Sequence, residues 1–416
     1  MKRWLFILLS LVLVLAGCSN NGGGSGTETD NTQQTEERGE TTAPQQEEAG
    51  GEPITVGIIL AETGPFAQLG KEVRQGFELY VKQNGGKLAG REVKIVDEDG
   101  EGDPQASLRK YRQIVLNHDV DFIIAGDSSA VTYALKDEIE KDPKIMFVPI
   151  SAALDISWEQ KSEYIYRLGF SNWQGGTSAG QYAANNIGKK AITITADYPG
   201  GEEGYQTFKA AYEANGGEIV AEFRPPMGAQ DYATYINQMS QIDADVVYAF
   251  LVGSDSVRFL NQFTEMGMKE KFELISPFSF GEITVVDAAG EAALDALCAT
   301  PYSPWLENDV NPAFVEAYQA EYGELPTNQS AAGYDIAQAI DKALQEVGTS
   351  DPDKVKEVLK GMQISSPRGP ITIDPNTHDP VQNFYITRNV QGDGRIVLQV
   401  EETYEQVQVP AERPAQ

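Results

Sequence analysis

From Ile54 to Phe278, short apolar runs rich in Val and Ile alternate with amphipathic stretches, and the alternation is run through twice. The first pass reads as strands at Ile54 to Leu60, Arg91 to Asp97, Phe122 to Gly126 and Ile145 to Ile150. Between them lie helical patterns at Lys71 to Asn84, Pro104 to Asn117 and Val131 to Lys141. Strands that are apolar throughout, joined through helices by short connections, belong to a parallel sheet covered on both faces. After a strand at Tyr164 to Phe170 and a helix at Trp173 to Ile187 the series restarts. It gives strands at Ala191 to Ala196, Glu218 to Phe223, Val246 to Val252 and Leu274 to Phe278. The pattern predicts an α/β chain with two facing lobes. In such sheets ligands sit beyond the carboxyl ends of the strands, here the loops at 62–69, 127–130, 151–154, 197–201, 253–255 and 279–282. Past Tyr302 the pattern turns helical, and short strands at 371–373, 383–388 and 396–400 complete one of the earlier sheets.

The first residues read as a targeting segment. Lys2 and Arg3 precede an apolar run from Trp4 to Leu15 that is too short to span a bilayer. It ends in Leu15-Ala16-Gly17-Cys18, which resembles a bacterial lipoprotein lipobox. The resemblance implies a signal peptide over 1–17, cleavage before Cys18, and a lipid on its sulfur that tethers the chain outside the cytoplasm. Residues 18–52 hold almost nothing apolar and read as a disordered acidic stalk. A net charge of −30 makes nucleic acid and anionic lipid poor partners, since their phosphates would be repelled. Two cysteines and two histidines are too few ligands for a transition-metal cluster, and no cofactor motif is present. Cys298 reads as a small core residue.

The stretch with most chemistry is Gly126-Asp127-Ser128-Ser129-Ala130, where a strand hands two serines to the first turn of a helix. Unpaired N–H groups and the helix dipole favour an anionic or carbonyl-bearing guest there. The same turn nearly matches a nucleophile elbow, with Ser128 attacking, His378 as base and Asp341 orienting it, although alanine replaces the last glycine. The acids from Asp97 to Asp103 imitate the start of an EF-hand loop, but Leu108 stands where a bidentate glutamate is needed.

Several motifs in order resemble the extracytoplasmic solute-binding proteins of ABC transporters, of the branched-chain amino-acid (Leu/Ile/Val) type. They are Gly64-Pro65-Phe66-Ala67-Gln68-Leu69-Gly70, Asp103-Pro104, the serine turn, and Pro149-Ile150-Ser151-Ala152. Tyr166-Arg167 with Gln174-Gly175, Gly253-Ser254-Asp255, Arg368 to Pro375, and Thr377-His378-Asp379-Pro380 complete the set. The resemblance covers about 53–405. It implies a type I periplasmic-binding-protein fold, two Rossmann-like lobes joined by three hinge crossovers. Lobe one would hold 53–171 with 301–368, and lobe two 172–300 with 369–408. It implies a non-catalytic receptor that takes a small amino acid or a related amide or organic acid into the cleft and delivers it to the ABC permease. The ligand carboxylate would meet Ser129, with Ser128 beside it, and Ser151, Ala152 and Ala153. Leu69 or Phe66 would give apolar contact from lobe one, and Tyr198, Phe278 and Gly253 would line lobe two. The acid that meets a ligand ammonium in this family falls at Phe278, with Glu282 and Asp255 near but out of register.

Overall fold

The computed structural model describes residues 51–414; the signal segment, Cys18 and all but the end of the stalk lie outside them. Its first half runs β1 (Ile54–Leu60), α1 (Ala67–Gln83), β2 (Lys87–Leu88), β3 (Arg91–Asp99), α2 (Pro104–Asn117), β4 (Phe122–Ala125), α3 (Ser129–Lys141), β5 (Ile145–Val148) and β6 (Ile165–Arg167). These strands form one sheet in the order β2-β3-β1-β4-β5-β6, parallel except for the β2–β3 ribbon. Register pairs Val56 with Ile95 on β3 and with Phe122 on β4. Every residue of β1, β4 and β5 is buried, which is why those strands carry no polar alternation.

The second half adds α4 (Asn172–Tyr182), β7 (Lys190–Thr195), α5 (Pro199–Ala214), β8 (Glu218–Phe223), α6 (Ala233–Met239), β9 (Val246–Phe250), α7 (Ser254–Glu265), β10 (Glu273–Ser276), α8 (Ile283–Ala289) and β11 (Leu297–Thr300). The chain then returns through α9 (Asn311–Tyr322), α10 (Asn328–Val347) and α11 (Pro352–Leu359). It closes with β12 (Gln363–Ser366), β13 (Gly369–Ile373), β14 (Pro380–Gln391) and β15 (Ile396–Val407). The second sheet runs β12-β13-β14-β11-β10-β9-β7-β8, with β15 paired to β14. Its middle, β11-β10-β9-β7-β8, is parallel, and β14 joins β11 antiparallel. The α/β fold with two mostly parallel sheets flanked by helices is the one the sequence predicts.

Each sheet has its own core. Ile54, Phe77, Phe122, Phe147 and Ile340 belong to the first, and Ile192, Val247, Phe259 and Phe280 to the second. The tail differs from the expected division at 369, because Ile371 and Ile373 pack into the first core. Strand β13 is at the same time hydrogen-bonded to β14 of the second sheet. Helix α10 crosses α1 at close quarters: a Cβ on Gly333 would stand 1.9 Å from the Val73 carbonyl, so only glycine fits. At the crossovers Arg368, fully buried, bonds Asp335 at 2.6 Å and donates to the Leu168 and Gly169 carbonyls and to Gln382 Oε1. One guanidinium thereby ties α10 to two of the three chain passages. Gln174 caps its own helix with Ser171 and donates to the Pro380 and Val407 carbonyls, stitching the passages further.

Candidate functional site

The serine turn and the loop after β5 form one surface. Gly126 makes the turn at φ 98°, and a Cβ there would stand 2.6 Å from Thr132 Oγ1. Buried Asp127 fixes the turn from behind by accepting the Ala61 N–H at 2.9 Å. Burial pushes its carboxyl above the usual range. Ser128 is the N-cap of α3, its hydroxyl accepting the Val131 N–H at 3.4 Å. Ser129 is the first residue of the helix, half-buried, and its Oγ accepts the Ala153 N–H at 3.3 Å. The turn and the loop thus meet at Ser129 and Ala153.

Ser151 is turned inward, its N–H taken by the Gly126 carbonyl at 3.0 Å. Its hydroxyl is buried, donates to the Gly126 carbonyl at 2.7 Å and shares a 2.8 Å bond with Thr132 Oγ1. Both capacities are spent on joining the two loops, so the side chain is a staple rather than a free donor. Ser151→Ala removes both bonds while its N–H still serves the Gly126 carbonyl, and we expect a loss of about 0.5–1.5 kcal/mol in urea unfolding with solute affinity little changed.

Below this surface lies an arginine whose role the sequence alone does not show. Arg167, 1% exposed, donates to the Ala153 carbonyl at 3.0 Å, the Ser151 carbonyl at 3.4 Å and Ser157 Oγ at 2.7 Å, and pairs with Asp379 at 2.7 Å. It holds the 151–157 loop in shape from beneath. Two further residues reach this loop from the second lobe. Glu203 on α5 accepts the Leu154 N–H at 3.2 Å and Asn172 Nδ2 at 2.9 Å, while the Asn172 N–H donates to the Ala152 carbonyl. Burial raises the Glu203 carboxyl above its ordinary value, and its charge in turn raises the Tyr133 hydroxyl of α3 beyond what burial does.

The second lobe presents rings. Phe278 lies 5.6 Å from Phe170 and 5.2 Å from Phe250, and Tyr198 lies 6.2 Å from Phe250. Tyr198 and Phe278 are half-buried, and burial pushes the Tyr198 hydroxyl up to about 12. Gly253 is exposed at the head of α7, and its neighbour Asp255 is spent on the Gly228 N–H and Arg258. Leu69 is half-buried on the first turn of α1, and Phe66 packs over Gly102 in the turn between β3 and α2. A cavity of about 500 Å³ opens on the α1 side of β1, walled by Leu60, Gln68, Lys71 and Arg74 among others, and includes none of the serine-loop residues.

The elements of a hydrolytic relay lie apart. His378 stacks on Tyr166 at 4.3 Å with Nδ1 facing the Ser162 and Ile165 carbonyls, and burial lowers its pKa to about 4. Asp341 accepts from the Tyr80 hydroxyl and the Ala89 N–H. The EF-hand-like acids are used locally, Asp103 capping α2 and Asp99 accepting from Glu62 N and Thr63 Oγ1.

Residues 53–395 match the model of the periplasmic binding protein family. The chain belongs to that family. This periplasmic binding protein is 30% identical over 351 residues to a Leu/Ile/Val-binding protein homolog 6 of Brucella melitensis, covering 82% of this chain and 88% of the relative. Among solved structures it is similar to a solute-binding protein of an ABC transporter from Rhodopseudomonas palustris BisB5, in complex with 3,4-dihydroxybenzoic acid. That likeness has a TM-score of 0.81 and 31% identity, over 86% of this chain and 99% of the other. A second R. palustris solute-binding protein, in complex with benzoate, gives a TM-score of 0.75 and 28% identity over 84% and 96%. Such relatives of the periplasmic binding protein are solute-binding proteins of ABC transporters rather than enzymes, and the family is extracytoplasmic. No helix among the described residues is long and apolar enough to cross a membrane.

Proposed function

We propose that this chain is the capture subunit of an ABC importer, lipid-anchored outside the cytoplasm through Cys18, and that it delivers a small carboxylate solute with an apolar body to the permease. The observation that carries this reading is the pairing of surfaces: hydroxyl and amide groups at Ser129 and Ala152–Ala153 on one lobe, and the half-buried rings of Tyr198 and Phe278 on the other. Charge-assisted hydrogen bonds suit a carboxylate, and the rings suit an aromatic or branched aliphatic remainder. Phe278 stands where the family's amino-acid binders place an acid, which favours an aromatic acid such as those held by the two R. palustris proteins. The amino-acid reading draws its support from Glu203, an acid beside the amide loop that could receive an ammonium.

Differential scanning fluorimetry against benzoate, 4-hydroxybenzoate, L-leucine and L-phenylalanine tests both. Any ligand of the native state raises the melting temperature by mass action. We expect the benzoates to give the larger rise; amino acids alone doing so would move the assignment to the Glu203 reading, and silence from all four would count against it altogether. Ser129→Ala is expected to weaken binding of the solute found by about 1–3 kcal/mol in calorimetry. Unchanged affinity would remove Ser129 from the site.

A further inference from the structure

Beyond β15 the chain runs across the segment that leaves the amide loop and is fastened to it. Val409 is buried, and the Gln408 side chain donates to Asp374. The Pro410 carbonyl accepts the Trp158 indole N–H at 2.8 Å. Arg413 lays its guanidinium over the same indole, 4.7 Å from the ring centroid. Its Nε and Nη2 each donate to one oxygen of Glu159 at 2.8 Å, and Nη2 also meets Asp155. On another side Trp158 stands edge-on to Trp173 of α4, with ring centroids 6.3 Å apart.

The segment so held is a run of turns. The Ser157 N–H donates to the Leu154 carbonyl at 3.0 Å, and the Trp158 and Gln160 N–H groups to the Asp155 carbonyl at 3.1 and 2.7 Å. Turns that bond mainly to themselves take their place from whatever grips their side chains and carbonyls. From within, Arg167 holds the Ser151 and Ala153 carbonyls and Ser157 Oγ. From the exposed side the tail holds Asp155, Trp158 and Glu159, beginning two residues on from Ala153. A single exposed ion pair contributes little. Here one guanidinium is bidentate on Glu159 and stacked on Trp158, while the chain that carries it is tied down at Pro410, so one ordering cost serves several bonds. A loop fixed from both sides is already in its binding shape when the solute arrives, and such preorganisation appears as affinity.

We propose that the C-terminal tail is a strap, with Pro410 and Arg413 as positioning residues that order the 152–158 loop for solute binding. They act through the loop rather than on the solute. This rests on reading that loop as part of the grip.

The test compares the full chain with one ending at Val409, which keeps the buried anchor, and with Arg413→Ala at an exposed position. Hydrogen–deuterium exchange of the solute-free protein comes first. Amides 152–158 should exchange faster in both variants, while β1 and β9 keep the parent's rates. Arg413→Lys should restore only part of the protection, because an ammonium cannot fork onto Glu159 and stack on Trp158 together. Raising NaCl from about 0.05 M to about 1 M should speed exchange of this segment in the parent and not in Arg413→Ala. Calorimetry with benzoate and with L-leucine reads the consequence. For whichever binds the parent, the chain ending at Val409 should bind about three- to tenfold more weakly and melt near the parent. Exchange at 152–158 that ignores the truncation overturns the strap. Faster exchange with parent-like affinity overturns the positioning role. A parent that binds neither probe contradicts the capture reading instead, and exchange alone then decides whether the tail orders the loop.

Discussion

Replacing Arg368 with alanine is expected to cost about 3–5 kcal/mol of folding stability. The guanidinium and Asp335 are both fully exposed to protein and to no solvent, 2.6 Å apart. Removing the cation leaves a carboxylate buried at the junction of α10 with the crossovers, and also strands the Leu168 carbonyl and Gln382 Oε1, while the Gly169 carbonyl keeps only its bond from Gln382 Nε2. Lysine is not a conservative replacement, because a point charge cannot serve four acceptors spread over a planar fork. Urea unfolding followed by circular dichroism checks the size of the loss. A loss below about 1 kcal/mol would mean that water enters and solvates Asp335 after the substitution. Asp335→Asn together with Arg368→Met should recover much of the stability, since replacing both members of a buried pair removes the uncompensated charge.

Much of the fold was legible because its signals are local. Continuous apolar runs such as Ile54 to Leu60 announce buried parallel strands, and Asp103-Pro104 announces a helix start that the structure confirms by a bond to the Ala106 N–H. Two central pieces of the second lobe gave no such signal. Strand β11 is Leu-Cys-Ala-Thr, with no β-branched residue before its last, and becomes a strand only because β10 and β14 flank it. Helix α8 is seven residues long, and all of its first four are β-branched, which on propensity alone favours a strand.

The site shows the same division. The serine turn stands out because small polar residues follow an apolar strand, and Ser129 does meet the loop at Ala153. That Ser151 faces inward follows from where β5 ends, which spacing does not reveal. Glu282 stood only near the register of an expected acid, and Glu203 looked like one of many acids in a chain of net charge −30. Only the packing of one lobe against the other singles them out, since each meets a partner in the opposite half: Leu154 for Glu203, Gln329 for Glu282. A sequence pattern reports what a residue's neighbours along the chain are, and these contacts join segments 47 and 49 residues apart.

Arg167 offers a second large effect, and one in which stability and binding can be told apart. The guanidinium pairs with Asp379 and simultaneously braces the Ser151 and Ala153 carbonyls. Arg167→Met alone leaves Asp379 charged and buried, and about 3–5 kcal/mol of stability should go with it. Arg167→Met with Asp379→Asn removes the stranded charge and should restore most of that loss. It does not restore the brace, because methionine cannot donate to the two carbonyls that shape the amide loop. We therefore expect the double variant to melt near the parent yet to bind the solute at least about tenfold more weakly, as loss of one or two preorganising hydrogen bonds would cause. Parent-like affinity in a double variant of parent-like stability would show that the loop keeps its shape unaided. In that case the arginine–aspartate pair serves the junction of the lobes rather than the grip on the guest.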